Sequence, residues 1–181
     1  MASAFGHALS IIGIKKLFPD NKFKKKALIL GIVSAVIPDI DFFSENFGII
    51  ANLDKFGFLA HRGFTHSILF ALLWSIIILV IFHKSDKTNK VFLGLFYFIC
   101  TLSHGLLDSM TNGGDGVSFF FPITYDRYFF PLRFIEVSPI GITSFFSDWG
   151  IEILISEFKY IGIPSLALFG LGCLLNKKIY K

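Results

Sequence analysis

The chain is poor in the residues on which most soluble catalytic and structural devices depend. It has two cysteines, Cys100 and Cys173, set in separate apolar stretches. Neither their spacing nor their neighbours make a disulfide or a zinc pair, and both read as small hydrophobes. No Ser-His-Asp or Cys-His arrangement is present, which excludes the common forms of nucleophilic catalysis. Arginine occurs three times, at Arg62, Arg127 and Arg133. The formal charge of +4 comes from lysines clustered beside apolar runs, and no nucleic-acid reading motif accompanies them, so nucleic acid is not an expected partner. No basic region precedes the apolar stretch Ala2 to Ile14 and no clean small-residue site follows it, so a cleavable leader is not expected. No internal repeat is visible.

What the chain does have is hydrocarbon. Of its 181 residues 54% are hydrophobic and 24 are Phe, too apolar for an ordinary soluble domain. Residues 1–181 read as a single integral membrane domain, all-α, a polytopic bundle of four to five helices. Ala2 to Phe18 is apolar apart from His7 and ends on Lys15 and Lys16. Pro19-Asp20-Asn21 is a turn signal, and Ala27 to Ile37 runs apolar into Pro38-Asp39-Ile40-Asp41. Ser44 to His66 is a polar loop ending in HRGFTH. Ser67 to Phe82 is the clearest hydrophobic helix, somewhat short for a full span. Val91 to Met110 is the next, closed by Asn112-Gly113-Gly114. Asp115 to Lys159 reads as a long aromatic connection broken by Pro122, Pro131 and Pro139, and Tyr160 to Leu175 as the last helix.

Charge places these segments in a membrane. If Lys15 to Lys26, His83 to Lys90 and the C-terminus share one side, that side holds twelve of the 17 basic residues and is cytoplasmic by the positive-inside rule. His83 then reads as solvated. His7, Asp39, Asp41, His61, His66, His104 and Asp108 all fall at the opposite, outer ends of their helices. His7 joins them because Ala2 to Phe18 and Ala27 to Ile37 rise to similar heights from the turn near Asn21, at about 1.5 Å per residue.

Several of these groups have spacings with chemical content. His104 and Asp108 are four apart, so on a helix they share a face and can bind one ion; read alone, the pair also fits a helix-end carboxylate bonded to a neighbouring imidazole. Asp39 and Asp41 directly follow an apolar helix with no basic partner in the next dozen residues, so they repel unless a cation lies between them, although a solvated turn is the blander reading. His61 and His66 are five apart, about 140° on a continuous helix. Gly63 argues for a bend, with His61 on the loop, Thr65 as N-cap and His66 in the first helical turn. Ionisable groups in membrane helices are costly without a partner, metal or water. Seven candidate ligands, His7, Asp39, Asp41, His61, His66, His104 and Asp108, suit one or two divalent transition-metal ions, zinc first, with manganese or iron also suited. Asp39, Asp41 or Asp108 can serve as general base, and Arg62 or Arg127 can hold an anionic substrate; each arginine can equally be a headgroup anchor.

GHAL with His7, PDID with Asp39 and Asp41, HRGFTHS with His61 and His66, HGLLD with His104 and Asp108, and FPITYDRYFFP with Asp126 and Arg127 together resemble the LexA-regulated, membrane-bound metal-dependent hydrolase family of YdjM-like proteins. The resemblance covers most of the chain in order. It implies a multi-pass protein of a bacterial or archaeal inner membrane with a hydrolase site, loosely similar in its His/Asp pattern to zinc-dependent phospholipases C, and it carries no role over to Asp115. The expected function is hydrolysis of an ester, foremost a phosphoester of a lipid or lipid-linked substrate, by a metal-activated water at the outer face, with membrane lipids as partners. Two other readings use the same residues: a metal-ion or small-solute transporter, and a structural protein with a metal staple.

Overall fold

The structure, a computed structural model, describes residues 1–19, 25–41, 60–84, 89–138 and 147–179. Five helices make up the described bundle: α1, Ala4–Lys16; α2, Lys25–Val36, continued by a 3-10 turn Ile37–Asp39; α3, Ile68–Phe82, preceded by a 3-10 turn Phe64–His66; α4, Lys90–Ser109; and α5, which runs without a break through Asp148–Glu157, a π-helical turn Phe158–Gly162 and Ile163–Ile179. Residues 42–59, most of the expected polar loop, lie outside the described residues.

Helix α4 is the centre: α1, α2 and α3 all pack on it, and α1 also packs on α2 and the second half of α5. The core between them is Ile11 and Ile14 of α1, Ala27 and Ala35 of α2, Ile78 of α3, and Leu93, Phe96, Tyr97 and Cys100 of α4. Close helix approach in a membrane depends on small residues. A Cβ on Gly13 would lie 2.5 Å from the Ser165 carbonyl of α5, so that crossing requires glycine. The outward faces are apolar, as with Leu72, Ile76 and Val80 of α3 and Ile155 and Leu166 of α5. Hydrocarbon is the solvent that tolerates such faces, and α4 and α5 are each long and apolar enough to cross a membrane.

Three expectations are corrected. The connection expected over Asp115 to Lys159 ends earlier: α5 starts at Asp148 and is far longer than Tyr160 to Leu175. Glu157, Lys159, Gly162 and Pro164 suggest a break, but the π turn directly before Pro164 accommodates the ring and its missing N–H inside one helix. Thr65 is not the N-cap of α3; Ser67 is, its Oγ accepting from Phe70 N–H. His83 is not solvated: it is buried, with Nε2 2.8 Å from Tyr97 Oη.

Candidate metal centre

The end of α4 supplies two donors. His104 and Asp108, one turn apart, are both fully buried. The Nδ1 of His104 lies 2.7 Å from Ala35 O, one of the last carbonyls of α2, which the helix end leaves unsatisfied. A carbonyl only accepts, so Nδ1 carries the proton and Nε2 presents its lone pair. That lone pair faces His66 Nε2 at 3.1 Å and Asp39 Oδ1 at 3.3 Å. Asp39 is set by the 3-10 turn after α2, where Pro38 fits an N-terminal helical position. His66 Nε2 is 3.7 Å from Asp108 Oδ2 and 4.0 Å from Asp39 Oδ1.

Donor atoms of Asp39, His66, His104 and Asp108 all lie within 4.8 Å of one another. Ligands about 2.0–2.1 Å from a tetrahedral ion would be about 3.3 Å apart, close to the three shorter of the separations above. Asp39 Oδ1 is buried without a hydrogen bond, a costly state for a carboxylate oxygen, whereas Asp108 Oδ2 has the Arg62 guanidinium 3.2 Å away. Two imidazole nitrogens meeting at 3.1 Å need a proton or a cation between them. Burial opposes charge on His66, yet the Asp108 and Asp41 carboxylates overcome it and hold its pKa up at about 9. In the absence of an ion a proton takes that place.

Around this set a second group of side chains fixes it. Asp41 accepts from Arg62 N–H at 3.1 Å and Thr65 Oγ–H at 2.6 Å, and lies 2.7 Å from His61 Nδ1 and 3.2 Å from His66 Nδ1. Burial would raise the Asp41 pKa, but these histidines hold it below the usual carboxylate range. Asp41 thus orients His66 from behind, as outer carboxylates commonly orient ligating imidazoles. Asp41, His61 and His66 also form a second cluster of donors, but it reaches His66 through Nδ1 and competes with the first for one imidazole. His7 stacks on His104, with ring centroids 3.8 Å apart, and its Nε2 is 3.3 Å from Asp108 Oδ1. It adjoins the donors without belonging to the four.

Both candidate substrate arginines bond within the protein. Arg62, 2% exposed and in the left-handed region at φ 63°, places Nε 3.2 Å from Asp108 Oδ2, donates from Nη1 to Gly113 O and from Nη2 to Thr111 Oγ1. Arg127 donates from Nη1 to His61 O at 3.0 Å. Arg62 is a partner of a ligand, and Arg127 braces the loop that carries His61. Glu157 is a further polar residue near the centre that no motif in the sequence points to. Buried in α5, it accepts from Ser3 N–H and Ser3 Oγ–H and so holds the start of α1, one turn before His7. The signal was there as an acid in an apolar run, once that run is read as helix back to Asp148.

The sequence pattern of the YdjM inner membrane protein family matches residues 3–177. Inner membrane protein YbcI of Escherichia coli K12 is 35% identical over 146 residues, covering 81% of this chain and 82% of that protein. No solved structure matches the chain.

Proposed function

We propose, for a chain that belongs to the YdjM inner membrane protein family, a membrane-embedded metal-dependent hydrolase of phosphoesters, with a lipid or lipid-linked substrate. The observation that carries this reading is the buried set Asp39, His66, His104 and Asp108, whose donors converge while Asp39 Oδ1 lacks a hydrogen bond. The carboxylates of Asp39 and Asp108, the charged Asp41 behind His66 and the one guanidinium of Arg62 leave two net negative charges when the imidazoles are neutral, which a divalent cation offsets. The donor set of two imidazoles and two carboxylates suits zinc, with manganese or iron as the other candidates. Because a neutral His66 cannot serve both clusters through its two nitrogens, the described residues favour one ion. A divalent ion bound there supplies Lewis-acid stabilisation of negative charge and lowers the pKa of water.

The chain's own residues do the rest. Asp39, the most accessible of the four, would take the proton of the water that attacks phosphorus and return it to the ester oxygen as that P–O bond breaks, leaving an alcohol and a phosphate. Asp41 holds His66 and Arg62 holds Asp108, so the donors are set before substrate arrives. The surrounding apolar helices exclude bulk water. The lysine distribution supports an outer location for the site.

Elemental mass spectrometry of the detergent-purified protein tests the reading, with wild type beside a His104→Ala, Asp108→Ala double variant. The expected result is about one transition-metal ion per chain in wild type, lost from a variant that keeps its helical circular dichroism, together with metal-dependent phosphate release from phosphatidic acid. A wild type that stays metal-free after reconstitution refutes it.

A further inference from the structure

Of the four donors, three are closed off: the side chains of His66, His104 and Asp108 are fully buried, while that of Asp39 is 11% accessible. What Asp39 opens onto is a cavity of about 480 Å³, whose other described walls are Ile32, Val33, Val36, Ile37 and Ile40. That is within the range of about 300–1,000 Å³ typical of ligand sites. Ile32 and Val36 lie one above another on α2, Val33 lies beside them, and Ile37 and Ile40 continue the lining through the 3-10 turn, three residues apart and so on one face of it. Val33 and Ile40 are exposed on the flank of the bundle. Among the described residues, the open space beside the candidate donors is thus a trough lined by hydrocarbon along α2 and the turn after it, with one polar residue, Asp39, at one end.

Few kinds of molecule fit that combination. A water-soluble anion finds nothing to bind until it meets a carboxylate, and a plain hydrocarbon gains nothing from ending there. A molecule with an apolar chain fits the trough, and a phosphate at the end of that chain would meet the divalent cation of the proposed centre beside Asp39. We propose that the α2 cavity holds one hydrocarbon tail of a phosphate-bearing lipid, which enters sideways from the bilayer and brings its head to Asp39. The phosphate identity of that head and its fate rest on the metal-hydrolase reading above; the seat of the tail does not. A tail leaving bilayer hydrocarbon gains little by burial, so the trough acts by aligning the head rather than by adding affinity.

The test uses the full chain in nanodiscs containing phosphatidic acid with a diazirine in one tail, irradiated and mapped by mass spectrometry. Label should concentrate on the stripe from Ile32 to Ile40, well above Ile76 and Ile77 of α3, which are similarly exposed to lipid. Val36→Trp, which fills the trough beside Asp39, should bring it down to the α3 level while metal content stays at the wild-type value. Val33→Trp, on the exposed flank, serves the same purpose if Val36→Trp does not purify. Equal labelling of α2 and α3, or labelling untouched by the tryptophans, overturns the inference. Turnover separates it from the hydrolase reading. If phosphatidic acid is cleaved, the ratio of kcat/KM for long-tailed over short-tailed substrate should fall about tenfold to a hundredfold in the variants, the scale of a misplaced reacting group. Enriched labelling with no hydrolysis of either substrate by wild type leaves the trough standing and removes the hydrolase.

Discussion

Asp41→Asn is the most informative single change, because it separates a carboxylate that orients a ligand from one that is a ligand. The substitution keeps the shape of a side chain that meets His61 Nδ1, Arg62 N–H, Thr65 Oγ–H and His66 Nδ1. It removes the negative charge and replaces one acceptor with a donor. His61 can meet the amide by changing tautomer, and the remaining oxygen still serves Arg62 N–H or Thr65, so the turn survives. His66 loses its carboxylate partner at 3.2 Å. Outer carboxylates behind ligating imidazoles are typically worth about ten- to a hundredfold in metal affinity, or about 1.4–2.8 kcal/mol. Titration with Zn²⁺ against a chromophoric chelator, in detergent, reads both Kd and stoichiometry. The expected result is a Kd weakened within that range with stoichiometry unchanged at one. An unchanged Kd in a folded variant would refute the role given to Asp41. A fall from two ions to one would make Asp41 a ligand of a second ion and refute the single-ion centre.

Two further changes test how the centre is held. Arg62→Met strips the partner from the fully buried Asp108 and should cost about 3–5 kcal/mol in chelator-treated protein; thermal unfolding should show most of it recovered in the Arg62→Met, Asp108→Asn double variant, and no recovery would mean that Arg62 acts through Gly113 and Thr111 instead. Gly114→Ala places a Cβ 2.3 Å from Arg62 Nη1 at a backbone φ of 85°, so it should destabilise by at least about 2 kcal/mol, an unfolding temperature lower by about 4–8 °C, and an unchanged melting curve would show that the guanidinium is not fixed there.

The bundle was legible because hydropathy is a one-dimensional signal: the apolar runs of α1 to α4 lie within a few residues of where the sequence places them. α5 was less so, because Glu157 and Pro164 look like breaks in one dimension, and their accommodation by Ser3 and by a π turn needs a partner helix and a third dimension. The meeting of His7, Asp39, Asp41, His61, His66, His104 and Asp108 could be read from helix heights alone. Their division of labour could not. Whether Asp41 faces an ion or the back of His66 turns on a 3.2 Å contact across 25 residues of chain, and Arg62 reads as a surface fork until the left-handed backbone at that residue turns its guanidinium toward Asp108.

The same contact bears on the choice between a staple and a reaction centre. A bundle that needed only stability would do as well with apolar side chains of similar volume, since buried ion pairs rarely repay their desolvation. A structural ion would account for the polar set if all four donors were committed to it and closed off, as structural zinc sites are. Here Asp108 is already divided: Oδ2 lies 3.2 Å from Arg62 Nε, and Oδ1 accepts from Ala2 N–H at 2.8 Å. Among the described residues no lysine or arginine claims the site-facing atoms of Asp39, His66 and His104, and Asp39 borders open space. Three firm donors with access on one side is the pattern of a centre that keeps a place for substrate. A closed staple would have no use for the opening at Asp39, and a permeation path would need a second polar opening on the far side of the donors. Among the described residues α4 continues there into Phe96 and Leu93, buried in the apolar core, and Tyr97, whose hydroxyl is bonded to the buried His83.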